Sequence, residues 1–309
     1  MDLFCYANVP YRIVSYCELL VDPQNTIFFY DKLEEEINMS ILAVGSDGRL
    51  VWDKNGQVVL VNLAEKLLVH LLVKLSNFIP GAGIWMNTQR PEWNDANNAL
   101  VGYGVSMVTA YYLRAYVEFC GRLFHEYGKV SVKISAEVAN FFTRLKGALE
   151  EQMQNPDQML TDEGKKSCLD LFGEAGSDYR LGLYQEGFSG KSKEIGKKEL
   201  LAFCDSTKRA LDFTIASNLR EDRLYHAYNL IRVDGERIIL RRLYEMLEGQ
   251  VAVLSSEMLP NEETLQVLNA LKTSKLYRED QHSYILYPDR DLPGFLKKNC
   301  ISADRIKGS

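Results

Sequence analysis

The stretch NALVGYGVSMVTAYYLRAY, residues 98–116, contains one charged side chain, Arg114, and is otherwise apolar, small or uncharged. A helix that is apolar on every side is usually buried on every side. The stretch therefore predicts a helix from Asn98 to Tyr116 that lies inside a layer of other helices. Amphipathic patterns occur on both sides of it, so buried and half-exposed helices alternate along the chain. This alternation favours a double-layered helical barrel.

The other patterns are also mostly helical. A hairpin is predicted near residues 49–61, because Asn55-Gly56 is a strong turn signal between two apolar runs. The glycine-rich run Gly173–Gly196 predicts a long loop. Neither a βαβ rhythm nor a nucleotide-binding glycine pattern is found. We therefore expect a mainly α fold, a complete or partial (α/α) barrel forming one domain over residues 1–309. The remaining predicted helices are Asn25–Ile41, Asn62–Ser76, 134–154, Asp162–Phe172, Lys197–Asn218, Glu236–Leu254 and Asn261–Leu271. Asn62 is the predicted N-terminal cap of its helix.

Composition excludes several classes of protein. The chain has 309 residues, of which 46% are hydrophobic and 25% charged, typical of a globular protein. Its net charge of −6 disfavours a nucleic-acid partner, which needs a basic surface. The sequence has no apolar run of membrane-spanning length. The six cysteines are scattered without a C-x-x-C pair, which favours the cytoplasm and disfavours a metal site.

The segment 83–98 has the most unusual chemistry of the chain. Tryptophan rings offer flat surfaces to sugar rings, while amide and guanidinium groups bind hydroxyls. A carboxyl beside tryptophan has a raised pKa, which suits a general acid. Two simpler interpretations stay open: Asn94 or Asp95 caps the next helix, and the tryptophans belong to the core. The candidate ligand-binding side chains of this segment are Trp85, Arg90, Glu92, Trp93, Asn94 and Asn97, beside Asp95.

The run Glu92-Trp93-Asn94-Asp95-Ala96-Asn97-Asn98 resembles a motif of the inverting disaccharide phosphorylases, the cellobiose and chitobiose phosphorylase group. The surrounding sequence resembles a segment of larger bacterial proteins related to them. The resemblance implies an (α/α)6 barrel in which Asp95 is the general acid. Asp95 would protonate the glycosidic oxygen while inorganic phosphate, the co-substrate, attacks the anomeric carbon in place of water. No protein base is then needed, and no cofactor is expected. Pro91-Glu92 stands where the family usually has Gly-Asp.

Two other reactions or roles are compatible with the same segment. An inverting glycoside hydrolase would need a carboxylate base in addition to Asp95. Asp289 is one candidate, in the charged turn Tyr287–Gly294. A helical scaffold that binds a glycan or a partner chain without catalysis would need no acid.

His226 and Arg290 are the candidate substrate- or phosphate-binding residues outside the segment. His226 lies in a polar and aromatic cluster, and Arg290 lies in the charged turn. The simpler interpretations are a hydrogen-bonded structural histidine and a salt-bridged turn.

The expected partners are an oligosaccharide substrate and protein chains. A closed barrel of six helix pairs needs more helices than the sequence predicts. We therefore expect either the remaining domains of a larger chain or a homodimer as a protein partner, and neither nucleic acid nor a membrane.

Overall fold

The fold combines helices with short antiparallel strands. The computed structural model describes residues 2–88, 99–291 and 293–301. The helices are α1 (Tyr16–Val21), α2 (Asp31–Val44), α3 (Leu63–Leu75), α4 (Met107–Glu126), α5 (Ala136–Gln152), α6 (Pro156–Met159), α7 (Asp162–Glu186), α8 (Lys197–Ala216), α9 (Leu247–Leu254), α10 (Asn261–Thr273) and α11 (Phe295–Lys298). The strands are β1 (Phe4–Cys5), β2 (Tyr11–Ile13), β3 (Ile27–Phe29), β4 (Leu60–Val61), β5 (Phe78–Ile79), β6 (Gly83–Trp85), β7 (Gly104–Ser106), β8 (Ser131–Ser135), β9 (Ser192–Gly196), β10 (Tyr228–Asp234), β11 (Arg237–Arg242), β12 (Tyr277–Arg278) and β13 (Ser283–Tyr284).

A five-stranded antiparallel sheet in the order β11-β10-β7-β6-β5 lies among these helices. Trp85 on β6 lies opposite Val105 on β7, and Val105 lies opposite Asn229 on β10. Asn229 in turn lies opposite Arg242 on β11. Other strands pair into two-stranded ribbons, namely β1 with β4, β2 with β3, β8 with β9, and β12 with β13.

The expected mainly α fold with an (α/α) barrel is wrong. The fold is mixed α and β, because the five-stranded sheet lies within it. The strands of that sheet are only two to seven residues long. A pattern of that length cannot be told from a turn of helix or a loop by periodicity. The pairing of β7 with β10, in which Ser106 lies opposite Tyr228, joins distant parts of the chain, and local patterns do not reveal it.

The stretch 98–116 is the clearest case. Residues 101–103 form a turn and residues 104–106 form β7, so α4 begins only at Met107. Gly102 has a φ of +89°, which residues with a side chain rarely adopt. A Cβ on Gly104 would lie 2.5 Å from an atom of the preceding turn. The two glycines therefore allow a tight turn, after which Ser106 caps α4.

The predicted helix over Glu236–Leu254 is also wrong in its first half. Residues 237–242 form β11, and α9 covers only the second half. The missed signal is Asp234-Gly235: Asp234 ends β10, and Gly235 and Glu236 form the turn to β11, with Gly235 at a φ of +59°. A glycine at the first position of a two-residue turn between two apolar runs is a hairpin signal.

The loop predicted over Gly173–Gly196 is mostly helix, because α7 continues to Glu186. A Cβ on Gly173 would lie 2.3 Å from the ring of Tyr16, and one on Gly176 would lie 2.7 Å from Ser76. These glycines therefore permit close packing and do not break the helix.

The N-terminal region is partly as expected. The predicted helix over Asn25–Ile41 begins too early, because residues 27–29 form β3 before α2 starts. The hairpin near residues 49–61 is present as a single bridge between Trp52 and Val58, whereas β4 pairs with β1. The predicted capping of α3 by Asn62 is confirmed, since its side chain accepts a hydrogen bond from the Glu65 amide at 3.0 Å.

The helices pack on one another and on the sheet. α4 packs against α8, α3 and α9, while α7 packs against α5 and covers β5 and β11. Their buried faces form a large apolar core that includes Tyr111, Phe142 and Phe203. Within the described residues, every helix is too short or too polar to cross a membrane.

Candidate functional site

The residues on either side of 89–98 are hydrogen-bonded to each other where β6 ends and β7 begins. Trp85 is 4% exposed, and its ring N–H donates to the carbonyl of Gly102 at 2.9 Å. The Met86 amide donates to the Gly104 carbonyl at 2.9 Å, and the Gly102 amide donates to the Met86 carbonyl at 2.7 Å. We call Trp85–Asn87 together with Gly102–Gly104 the loop root. Its two halves are therefore fixed side by side.

Asn87 joins the loop root to the end of α3. It is buried, and its amide nitrogen donates to the side-chain oxygen of Asn77 at 2.7 Å. The Asn77 carbonyl also accepts a hydrogen bond from the Trp85 amide at 2.8 Å. The direction in which the chain leaves β6 is thus set by both side-chain and backbone bonds.

Most of the predicted site residues belong to the segment between these anchors. Arg90, Glu92, Trp93, Asn94, Asp95 and Asn97 lie outside the described residues, so their roles stay predictions. Trp85 is described, and its burial leaves the ring little surface for a ligand. The ring anchors the loop root through its packing and its hydrogen bond.

His226 lies near the opposite ends of β6 and β7. The carbonyl of the next residue, Ala227, accepts a hydrogen bond from the amide of Met107, which follows β7. His226 is 8% exposed, and its Nδ1 lies 3.0 Å from the Leu243 carbonyl. A carbonyl only accepts, so Nδ1 carries the proton and Nε2 is an acceptor. Burial, helped by Arg242 and Arg220, lowers the pKa of His226 to about 4.

A group of polar side chains lies beside His226, and two of them, Asn218 and Asn229, are fully buried. The amide nitrogen of Asn218 donates to the carbonyls of Gly81 and Thr214, at 2.9 and 2.8 Å. Its oxygen accepts hydrogen bonds from Asn229 at 3.0 Å and from Arg242 at 2.8 Å. We call Asn218, His226, Asn229 and Arg242 the polar cluster. Among these residues, the sequence drew attention only to His226. The groups that bond to one another are far apart in the chain, as Gly81 and Asn218 are, so no local pattern indicates the cluster.

Arg290 lies on the surface on the same side as the polar cluster. Its guanidinium carbon is 4.6 Å from the ring centroid of Tyr244, which follows the His226 acceptor Leu243 in sequence. This is a cation–π contact. Asp289, the candidate base, is highly exposed and lies 3.7 Å from Arg278 in an ion pair. The charged turn is therefore a surface feature held by aromatic and ionic contacts.

A second polar region was missed by the sequence. A cleft of about 960 Å³ lies beside the start of α3 and the β8–β9 ribbon, and Glu65 and Glu137 line it. Glu65 is buried and accepts hydrogen bonds from the amide and hydroxyl of Ser135, at 2.9 and 2.6 Å, and from the Tyr6 hydroxyl at 3.3 Å. Glu137 accepts one from the Ser189 amide at 3.0 Å.

The electrostatics of this cleft are unusual. Burial raises the pKa of the Glu65 carboxyl, and nearby Glu137 raises it further, while the bonds from Ser135 and Tyr6 oppose the shift. The second oxygen of Glu137 is buried and has no hydrogen-bond partner within the described part of the chain. A sequence signal for this pair is lacking, because Glu65 has the spacing of an ordinary first-turn acid.

The cleft and the loop root are separate regions. Glu65 lies in the first turn of α3 and Asn77 follows its last residue, Leu75, and the helix between Glu65 and Leu75 rises by roughly 15 Å. Among residues 2–88, 99–291 and 293–301, no group of three or more His, Cys, Asp or Glu side chains is arranged to hold a metal ion.

Comparisons with known proteins do not place the chain in a family. No protein-family model matches the chain, and no curated protein matches it.

Proposed function

We propose that the protein is an enzyme that cleaves a glycosidic bond in a di- or oligosaccharide with inversion, by phosphorolysis, and that Asp95 is its general acid. The observation that carries this proposal is the run Glu92–Asn98 and its resemblance to the disaccharide phosphorylase motif. The reaction needs an acid on the leaving oxygen and phosphate on the opposite face of the sugar.

The loop root supports this role for the segment. A general acid must be held within hydrogen-bond reach of the oxygen that it protonates. The bonds of Trp85, Met86 and Asn87 fix the chain on either side of 89–98 to the sheet and to α3. The proposal rests on this segment alone and not on a barrel fold.

A decisive assay compares phosphorolysis with hydrolysis. The purified protein is incubated with β-linked disaccharides with and without inorganic phosphate, and sugar phosphate and free sugar are measured. Sugar phosphate that forms only with phosphate supports phosphorolysis. Free sugar released equally in both samples identifies an inverting hydrolase instead.

The role of Asp95 is tested by Asp95→Asn. Loss of a general acid lowers the rate by about 10²–10⁴-fold while substrate affinity stays similar. The control is Asp47→Asn, since Asp47 is exposed on a 3₁₀ turn. If glycan binding is intact in both variants and neither changes turnover, the acid role is wrong. If the wild type binds the glycan but shows no turnover with or without phosphate, a glycan-binding scaffold without catalysis becomes the better proposal.

We also propose a cytoplasmic location and an oligosaccharide as the main partner. All six cysteines are free thiols, which suits a reducing compartment. A homodimer or the remaining domains of a larger chain are the protein partners that we propose, with neither nucleic acid nor a membrane.

A further inference from the structure

The polar cluster opens into a pocket that the proposed reaction does not use. The pocket has a volume of about 570 Å³, and His226, Arg242, Arg220 and Asp222 line it. It lies near the start of β10 and the end of β11, whereas the loop root lies where β6 ends and β7 begins.

His226 presents an unused acceptor to this pocket. The residue is more than nine-tenths buried, and its Nδ1–H donates a hydrogen bond to the Leu243 carbonyl. Its Nε2 has no hydrogen-bond partner among the described residues and is not sealed from solvent. The lowered pKa, about 4, keeps the ring neutral at physiological pH and makes it a weak base for proton transfer. Its remaining capacity is to accept a hydrogen bond from a ligand.

Arg242 presents unused donors to the same pocket. Two of its N–H groups donate to the side-chain oxygen of Asn218 and the carbonyl of Ser217, at 2.8 and 2.7 Å. A guanidinium has further N–H groups, and those of Arg242 meet no carboxylate in the described part of the chain. Arg242 is exposed, so these donors are accessible from solvent.

The charges of the pocket decide what kind of ligand it fits. Arg220 is held by both oxygens of Asp222, the closer at 2.7 Å, and by Glu245 at 3.1 Å. Glu221 adds another carboxylate to the lining. An anion would therefore meet at least as many carboxylates as guanidinium groups. A neutral ligand avoids this repulsion, and hydroxyl groups both donate and accept.

We propose that this pocket binds an uncharged polyhydroxylated molecule, a sugar or polyol, with one hydroxyl donating to Nε2 of His226 and another accepting from Arg242. The inference is independent of Asp95 and of the proposed cleavage, because it concerns binding at a different place in the sheet. Failure of the cleavage assay would leave it standing.

The test is a titration of the full chain labelled with ¹⁵N-histidine, followed by long-range ¹H–¹⁵N NMR. The probes are D-glucose, D-galactose, D-mannose and myo-inositol, each through the millimolar range, with D-gluconate and inorganic phosphate as anionic probes. We expect a saturable shift of the His226 Nε2 signal with at least one neutral probe, and none for exposed His125. Shifts with the anions alone, or with no probe at all, would overturn the proposal.

Two variants sharpen this result. His226→Phe keeps a ring but removes the acceptor, so the neutral probe should bind roughly 3- to 10-fold more weakly. His125→Phe is the matched control and should leave the affinity unchanged, with thermal unfolding used to check both folds. Wild-type protein that binds gluconate clearly more tightly than the neutral sugars would contradict an uncharged ligand.

Discussion

The loop root and the polar cluster stabilise the same sheet in different ways. The loop root combines a buried ring with backbone hydrogen bonds between residues close to β6 and β7. In the polar cluster, the Asn218 oxygen accepts from Asn229 and Arg242, and the cluster's side chains also bond to carbonyls of distant residues. Because buried polar groups are costly when unpaired, Asn229 and Arg242 both depend on Asn218. The loop root should therefore tolerate single changes better.

The largest expected effect is the loss of Asn218. Asn218→Ala removes an acceptor from buried Asn229 and from Arg242, and it removes the side-chain donor to the carbonyls of Gly81 and Thr214. We expect the free energy of unfolding to fall by about 3 kcal/mol or more. Urea denaturation of the variant and the wild type measures this difference.

The matched control is Asn25→Ala. Asn25 is exposed and bonds only to nearby Asp22, so we expect a loss below about 1 kcal/mol. Equal losses in the two variants would show that the polar cluster has no special role in stability.

The second effect is a pH dependence that comes from His226. The unfolded imidazole takes up a proton near its ordinary pKa of 6.5, whereas the folded one stays neutral until about pH 4. Stability from this group is therefore complete above pH 6.5 and is lost as the pH falls towards 4, by at most about 3 kcal/mol. His226→Gln removes this titration. The difference in unfolding free energy between the wild type and the variant should therefore shrink as the pH falls from 6.5 to about 4.

Urea denaturation at several pH values between about 4 and 6.5 shows whether this difference in unfolding free energy shrinks or grows. The charged groups facing the ring are Arg220, Arg242 and Asp222. Hydrogen bonds from Arg220 lower the pKa of Asp222 below its ordinary value, so Asp222 titrates mainly under this range. A gap that widens as the pH falls would contradict the buried neutral state of His226.

The third effect concerns the loop root. Trp85→Phe keeps most of the buried ring but leaves the Gly102 carbonyl without its donor, which should cost about 1–3 kcal/mol. Hydrogen exchange at the Gly102 amide should become faster, since that amide bonds to Met86 beside the ring. Trp52→Phe is the control, because Trp52 is exposed and the change should have little effect on either measurement.

The sequence predicted those elements whose causes are local. Asn62 was recognised as a cap because its side chain serves an amide three residues away. The helix at 197–216 has an apolar face that is visible in one window of sequence. Gly173 and Gly176 were misread as loop residues, because their use depends on Tyr16 and Ser76, which lie about 100 or more residues away.

The residues of the candidate site also divide into those with a local sequence signal and those without one. The unusual composition of 83–98 is a local signal, and Trp85 drew attention to the loop root. Glu65 and Asn218 gave no signal, because the groups that make them unusual, Ser135 and Gly81, meet them only in the folded chain. Asp234-Gly235 was a local turn signal that we overlooked in favour of a helical pattern.

The smallest effect tests that turn, which lies at the far end of β10 from His226. Gly235 has a φ of +59° and open space around its Cα, so Gly235→Ala adds only backbone strain. We expect it to destabilise the protein by about 1 kcal/mol. Gly147 lies in the middle of α5, also with open space, so Gly147→Ala should instead stabilise the protein by about 0.5–1 kcal/mol. Urea denaturation of both variants shows whether the two changes shift the free energy of unfolding in opposite directions. A Gly235→Ala variant that is more stable than the wild type would mean that Gly235 does not have the positive φ described here. Because the turn is remote from the polar cluster, the His226 Nε2 signal should be the same in both variants.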